Sequence, residues 1–338
     1  MLNSWFEKNK RDFPWRDDPT PYGVWVSEVM LQQTRASVVI PYFELWMETF
    51  PDIVSLAGAP IEQVIKLWEG LGYYSRARNL HSGAQQIVRD YGGKVPSTKE
   101  ELLKIRGLGP YTVAAILSFG FKKRAAAVDG NVLRVITRYA WIDEDIQKVA
   151  TKRKVTEFVE SFLDLEEPWV TSEALIELGA TICTPVPRCD DCPIQEGCKA
   201  FARDQVDALP IKSGTQKIEK IIRGVAIVES EGFILVRENG IGKIMADLCE
   251  FPYFEGKKTL FGIQKELSSL GLKVELIQPL ESVKHTFTRF SATLYPFFFK
   301  ALFRKEIEGH VWLSIEQLKQ RPFSSGHRKI YHQLGSFL

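Results

Sequence analysis

The sequence predicts a multidomain protein, with an all-α N-terminal domain followed by a smaller domain of mixed α and β structure. Three observations carry this. Apolar residues recur at helical spacing through the first 200 or so residues. A polar stretch with Pro, Gly and Ser, "DALPIKSGTQKIEK", interrupts that pattern near residue 207. Beyond it, "IIRGVAIVESEGFILVRE" reads as two strands around a turn at Glu229 to Gly232. The predicted boundaries are 1–206 for the helical domain, 207–221 for a linker and 222–338 for the second domain. A length of 338 residues suits two domains of ordinary size.

The elements follow in order. Thr20-Pro21 is a helix start, with proline tolerated in the first turn, so Val24 to Gln33 is predicted helical. In "PIEQVIKLW", Ile61, Val64, Ile65 and Trp68 share one helical face. In "RARNLHSGAQQIVRDY" the same spacing links Ala77, Leu80, Ala84, Ile87 and Tyr91, and Gly92-Gly93 stops the helix. In "LLKIRGLGPYTVAAIL" a short helix ends near Ile105, Gly107 and Gly109 permit a tight turn, and Pro110 opens the next helix. In the second domain "LFGIQKELSSLGL" reads as a helix ended by Gly271, and "RFSATLYPFFF" as a strand. No internal repeat or low-complexity tract is visible.

Composition is that of an ordinary soluble globular chain, 45% hydrophobic and 25% charged. A formal charge of +2 argues for no partner by itself. Local charge says more: between Ser97 and Arg138 eight Lys or Arg face three acids. Such a stretch can contact phosphates, and charge alone does not separate that from a solvated helical face. "MLNSWFEKNKRDF" has no apolar core of signal-peptide length, and no stretch approaches 18 apolar residues. Four of five Cys crowd between positions 183 and 198, unlike a secreted disulfide framework. The expectation is a monomer in a reducing cytoplasm, away from any membrane.

Four motifs carry chemistry. In "CTPVPRCDDCPIQEGC", Cys183, Cys189, Cys192 and Cys198 are separated by five, two and five residues. Four thiolates this close can hold one inorganic centre. Four-Cys zinc sites usually come as two separated C-x-x-C knuckles, and here there is one. The spacing therefore favours a [4Fe–4S] cluster over zinc. The glycine turn before Pro110 exposes backbone N–H groups at a helix start, where an anion is favoured. With Lys104 and Arg106 beside it, a nucleic-acid phosphate fits, although a plain helix–turn–helix connection reads equally well. In "AAAVDGNVLRVITR", Asp129 and Asn131 precede a helical segment, and a turn and cap is the simpler reading there. Finally, "VWVSEVMLQQT" sets Glu28 in an almost unbroken apolar run. Burial disfavours the ionised form, so its pKa should rise, and a carboxyl protonated near neutrality can act as a general acid. A Glu that reaches past its neighbours to water is the alternative.

Together these pieces resemble the helix–hairpin–helix DNA glycosylases. Within them "YGVWVSEVMLQQTRASVVIPYF", "LWEGLGYYSRARNLHSGAQQI" and "ALIELGATICTP" resemble the adenine DNA glycosylase (MutY) family, from about Trp5 to the end of the chain. The resemblance implies a helical glycosylase domain with a [4Fe–4S] loop and an α+β Nudix-like domain. It also implies a DNA repair enzyme acting on bacterial nucleoid DNA, which excises adenine opposite 8-oxoguanine or guanine from a double-stranded substrate. Glu28 would protonate the extruded base at N7. Asp129 would stabilise the oxocarbenium-like sugar, with Asn131 and Tyr111 orienting both by hydrogen bonds. Trp15, Arg16 and Glu177 would line the base pocket, Gln33, Leu71 and Tyr73 would wedge the duplex, and Gly107 and Gly109 would lie in the hairpin. The related endonuclease III has a nucleophilic lysine where this chain has Tyr111, which implies a monofunctional enzyme. A glycosylase-lyase, or a protein that binds damaged DNA without cutting it, are the competing readings.

Two departures from the family stand out. The family usually carries Phe-Ser-His in the loop that touches the oxidised guanine, where this chain has Phe287, Thr288 and Arg289. Thr288 keeps a hydroxyl, while Arg289 puts a permanent cation where an imidazole is usual. The family also usually has six residues between the first two cluster Cys, and here there are five, including Pro185 and Pro187. The paired Glu residues of a Nudix pyrophosphatase are absent from "QKELSSLG", so no such hydrolysis is expected.

Overall fold

The computed structural model describes residues 1–214, 218–238, 248–287 and 290–335. The chain divides into two compact units: Met1–Ala59 with Arg78–Gly214, and Pro60–Ala77 with Thr215–Leu338.

The first unit is helical. Its elements are α1 (Leu2–Asn9), α2 (Pro14–Asp17), α3 (Pro21–Leu31), α4 (Ala36–Thr49) and α5 (Ile53–Gly58). After α6 (Ile61–Leu67), which belongs to the second unit, α7 (Ser75–Tyr91) leads back into the first. Then come α8 (Lys99–Leu102), α9 (Pro110–Ala115) continued by a π-helical turn (Ile116–Gly120), α10 (Gly130–Ala140), α11 (Val149–Phe162) and α12 (Pro168–Thr181). One core joins Val132 and Ile136 of α10, Val155 and Val159 of α11, and Leu175 and Leu178 of α12, with Phe6 of α1. Each such side chain contributes roughly 2 kcal/mol by leaving water. Cys183, Cys192 and Ile194 pack against the same core, which ties the cysteine loop to the helices that carry the site.

The second unit is built on a mixed sheet in the order β3 (Cys249–Glu250), β2 (Phe233–Glu238), β1 (Glu219–Ser230), β7 (Phe290–Ala301) and β5 (Val274–Pro279). Off this path β4 (Tyr253–Glu255) pairs β1, β6 (Val283–Phe287) pairs β7, and β8 (His310–Ser314) pairs β2. β1 and β7 run parallel from Glu219↔Phe290 to Glu229↔Lys300. Successive side chains of a strand point to opposite faces. Accordingly Val225 and Ile227 join one core with Phe323 and Ile330. Ala226 and Val228 join another with Ile263 and Leu267 of α13 (Leu260–Ser269). Two further helices, α14 (Ile315–Gln320) and α15 (Ser325–Gln333), complete the unit.

The structure differs from the sequence expectations in four places. The helix predicted to reach Gln33 ends at Leu31, and Gln33 has φ 58. The short helix before the hairpin ends at Leu102, with Leu103 as its C-cap, ahead of Ile105. The expected linker is partly bound: the Arg138 guanidinium donates to the carbonyls of Val206 and Leu209, and Ile146 N–H to that of Ile211, so this stretch folds with the first unit up to Gly214. Pro60–Ala77 folds with the second unit, because Glu69 accepts from Phe323 N–H and Arg328.

Candidate active site

Thr20 caps α3, its hydroxyl accepting from Gly23 N–H at 3.0 Å, and Pro21 occupies the first turn. Every residue from Tyr22 to Met30 is buried. A helix apolar on all sides belongs inside a protein, and this one takes Glu28 in with it: the residue is 8% exposed. The carboxyl meets one donor at short range, the Tyr111 hydroxyl, at 2.6 Å to Oε2. Burial pushes Glu28 up to about 7. The Tyr111 hydrogen bond opposes the shift, and Asp129 and Glu173 add to it. Tyr111 sits in the first turn of α9, and burial beside these carboxyls keeps its phenol protonated.

Asp129 is the N-cap of α10. Oδ1 accepts from Val132 N–H at 2.8 Å, and Oδ2 from Asn131 Nδ2 at 2.8 Å. The capping reading of Asp-Gly-Asn is thus correct as geometry, and the same carboxylate also lines a cleft with Glu28. Burial raises the Asp129 pKa, opposed by its backbone and Asn131 donors. It has more donors to stabilise its charge than Glu28, which has one hydroxyl. The two carboxyls thus differ in their hydrogen-bond donors, while burial raises the pKa of both. Asn131 is fixed in turn by Arg134, whose Nη2 donates to Asn131 Oδ1 at 2.8 Å and to Gly179 O at 2.7 Å. A Cβ on Gly179 would stand 2.7 Å from Asn131 Cβ, so only glycine lets α12 approach this closely.

Arg16 crosses to α12, with Nε 3.1 Å from Glu173 and Nη2 2.9 Å from Glu177. Glu177 also takes Arg11 at 2.5 Å. Burial pushes Glu177 up, but the two arginines outweigh it and hold the group below the usual range. Glu173 goes the other way, raised by burial in spite of Arg16 and two lysines. Sequence reading missed Glu173. The signal was its position four residues before Glu177, one turn away on the same helical face.

The cleft has a volume of about 1210 Å³. It brings together Glu28, Tyr111, Asp129 and Asn131 with Arg16 and Glu177. Trp15, Gln33, Gly107 and Gly109 line it too. Trp15 stacks on Phe13 at 4.8 Å and meets Phe43 edge-on, which fixes its ring. Gly107 has φ 85, and a Cβ there would clash with Asn79. At Gly109, the N-cap of α9, nothing lies within 4 Å of that position, which leaves room for an incoming backbone. Leu71 and Tyr73 fold with the second unit. Phe287 ends β6, and Thr288 and Arg289 lie outside the described residues.

Cys183, Cys189, Cys192 and Cys198 line a second, smaller cavity together with Arg138. Among the described residues no group of three or more His, Cys, Asp or Glu converges closely enough for a single metal ion. Four thiols around one cavity are a donor set that zinc or an iron–sulfur cluster can take. The Arg138 guanidinium lies 3.4 Å from Cys183 Sγ. No described helix is long and apolar enough to cross a membrane.

Removing the phenol of Tyr111 has a definite consequence. Its hydrogen bond lowers the Glu28 pKa, so Tyr111→Phe should move it above about 7. The alkaline limb of any reaction needing protonated Glu28 then shifts to higher pH. Loss of orientation slows the plateau by about tenfold. A pH profile of single-turnover rates checks both.

Comparison with known proteins agrees with this architecture. Residues 26–161 match the HhH-GPD superfamily of base excision DNA repair proteins, and residues 224–333 match the NUDIX domain. A thermostable thymine-DNA glycosylase superposes with TM-score 0.55 at 27% identity, covering 60% of this chain and 94% of that one. An endonuclease III–DNA covalent intermediate shares the fold at TM-score 0.51 and 23% identity, covering 60% of this chain and 93% of that one. The family match and the shared fold place the chain among the base excision repair proteins of the helix–hairpin–helix class. The adenine DNA glycosylase of Buchnera aphidicola subsp. Schizaphis graminum is 30% identical over 91% of this chain and 89% of its own length. The chain belongs to the adenine DNA glycosylase family. The mouse adenine DNA glycosylase is 42% identical over 65% of this chain, which spans 44% of that longer protein.

Proposed function

We propose that the protein is a monofunctional adenine DNA glycosylase acting on adenine opposite 8-oxoguanine or guanine in duplex DNA. The observation that supports it best is Glu28: a buried carboxyl at about 7, hydrogen-bonded to Tyr111, in the same cleft as the helix-capping Asp129. A base inside the stack is unreachable, so adenine is extruded into the cleft. Trp15 offers a ring held by stacking, and Glu173 a half-buried carboxyl for the polar edge of the base. Protonated Glu28 donates to N7, and the C1′–N9 bond breaks with its electron pair going to adenine. The Asp129 carboxylate faces the cationic sugar. Water then adds at C1′, and its proton returns to a carboxylate of the cleft. At residue 111 a phenol stands in place of an amine, so no Schiff base forms there and the strand stays intact. Backbone N–H groups around Gly107 and Gly109, with Lys104 and Arg106, take the DNA phosphates. Phe287, Thr288 and Arg289 would face the oxidised guanine.

The four cysteines would hold a [4Fe–4S] cluster, which when bound cross-links the loop that packs on α10 and α12. Arg134 Nε donates to Cys183 O at 2.7 Å, so this loop and Asn131 share one guanidinium.

The test is to incubate the purified protein with a duplex holding adenine opposite 8-oxoguanine. The expected result is free adenine and strand breaks only after alkali, from protein carrying iron and acid-labile sulfide in equal amounts. Binding without release would identify a damage-binding protein, and breaks without alkali a lyase.

A further inference from the structure

The turn carrying Tyr73 is unusual in its backbone and in what holds it. Gly70, Gly72 and Tyr73 have φ of 106, 69 and 49. An aromatic residue in the left-handed region costs on the order of 1 kcal/mol or more and persists only where its surroundings over-determine it. Here they do. The Gly72 carbonyl accepts from Trp68 Nε1 at 3.0 Å and from Arg76 Nη2 at 3.1 Å, and Arg76 Nη2 also reaches Leu71 O at 3.0 Å. Gly70 N–H donates to the Tyr74 hydroxyl, which donates to Phe323 O at 3.3 Å. Phe323 N–H donates to Glu69 Oε1 at 2.9 Å, and Arg328 Nε donates to the same oxygen at 2.6 Å. Lys66 bridges Glu69 Oε2 at 2.8 Å and Arg321 O at 3.3 Å. Leu71 and Tyr74 are 6% and 7% exposed, whereas Tyr73 is 44% exposed. A rigid, buried turn thus presents one accessible aromatic ring.

The partners of this turn lie about 250 residues away in sequence, on the stretch Arg321–Arg328. We infer that Glu69 and Arg328 are positioning residues for Tyr73: through Phe323 and Tyr74 the C-terminal unit holds the turn in the conformation that inserts the ring between base steps. The inference rests on the reading of Tyr73 as a duplex wedge. It makes the C-terminal unit a support for the insertion step as well as a domain that reads the opposite base. Neither Glu69 nor Arg328 touches the reacting atoms in this role, so the bond-breaking step is unaffected once adenine is extruded.

The experiment uses the full chain and a duplex with adenine opposite 8-oxoguanine, carrying 2-aminopurine beside the mispair. Its fluorescence rises on unstacking. Tyr73→Leu should abolish the rise. Glu69→Gln and Arg328→Gln should each weaken it and raise the Kd about tenfold, while single-turnover release at saturating protein falls less than threefold. Adding Glu69→Gln to Tyr73→Leu should change nothing further, because both act through one ring. Additive losses would mean that Glu69 serves stability alone and would overturn the inference. So would a normal fluorescence rise in both Glu69→Gln and Arg328→Gln, with Tyr73→Leu still defective. A normal rise in Tyr73→Leu would remove the wedge reading itself. If Glu69→Gln does not fold, Arg328→Gln, at a side chain 17% exposed, carries the same comparison.

Discussion

Glu28→Gln should slow single-turnover release of adenine by about 10³-fold or more, while duplex affinity stays within about threefold. The amide fills the same space on α3 and can still accept from Tyr111, but it has no acidic proton to give. The substitution should also stabilise the fold, and the sign follows from linkage. Glu28 is raised from an ordinary 4.5 to about 7 in the folded chain. Its favourable contribution is complete below about 4.5 and is lost as pH rises through about 7. At pH 7 and above, burying the ionisable group costs roughly 3 kcal/mol relative to the acid limit, from 1.36 kcal/mol per unit. A neutral amide escapes most of that cost. Thermal melts at pH 8 should therefore show Glu28→Gln more stable than the parent by about 1–3 kcal/mol, with the difference vanishing near pH 4. A variant that is inactive because it is misfolded would melt lower.

Asp129→Asn separates the capping role of this side chain from the catalytic role proposed for it. Asn is as good an N-cap as Asp, so the Val132 N–H keeps its acceptor and α10 keeps its start. The charge facing the sugar is lost. Adenine release should fall by about 10²–10³-fold, the scale on which one preorganised electrostatic group acts in a dry site. Stability should change by no more than ~1 kcal/mol. There is a second cost: Asn131 Nδ2 now faces either an amide oxygen or an amide NH2. If Asn131 turns to suit the latter, its Oδ1 leaves Arg134. Asp129→Ala removes cap and charge together and should lose both activity and ~1 kcal/mol or more. Comparing the two variants by melting and by base release isolates the contribution of the charge.

How much of this was legible in the sequence differs residue by residue. Glu28 was legible as an acid in largely apolar surroundings from the run Val24–Leu31, and its part in catalysis was legible only through the family resemblance. Asp129 was legible as a cap from its turn chemistry, and as a second acid only through the family resemblance. Gln33 was placed inside a helix because no glycine or proline follows Leu31 to signal a stop, yet the chain turns to φ 58 there. Glu173 escaped notice, and Arg134 was read only as one of eight basic residues that could contact phosphates, because their meaning lies in distant partners: Arg16 for one, and Cys183 for the other, 49 residues along the chain. The membership of Pro60–Ala77 in the second unit was hidden for the same reason. Its helical periodicity is local, but the Glu69 to Arg328 pairing that decides where it folds spans 259 residues. Periodicity and turn residues report local structure well, and they carry no information about which long-range polar pair will form.

The central claim is that Glu28 delivers a proton to the departing base. The rate of adenine release from saturated enzyme, followed from pH 5.5 to 9, tests it most directly. With Glu28 at about 7, the rate should be flat on the acid side and fall tenfold per unit on the alkaline side, with its midpoint near 7. The residual rate of Glu28→Gln should show no such limb. A parent enzyme equally fast at pH 6 and pH 9, or a Glu28→Gln variant with the same alkaline fall, would contradict the claim.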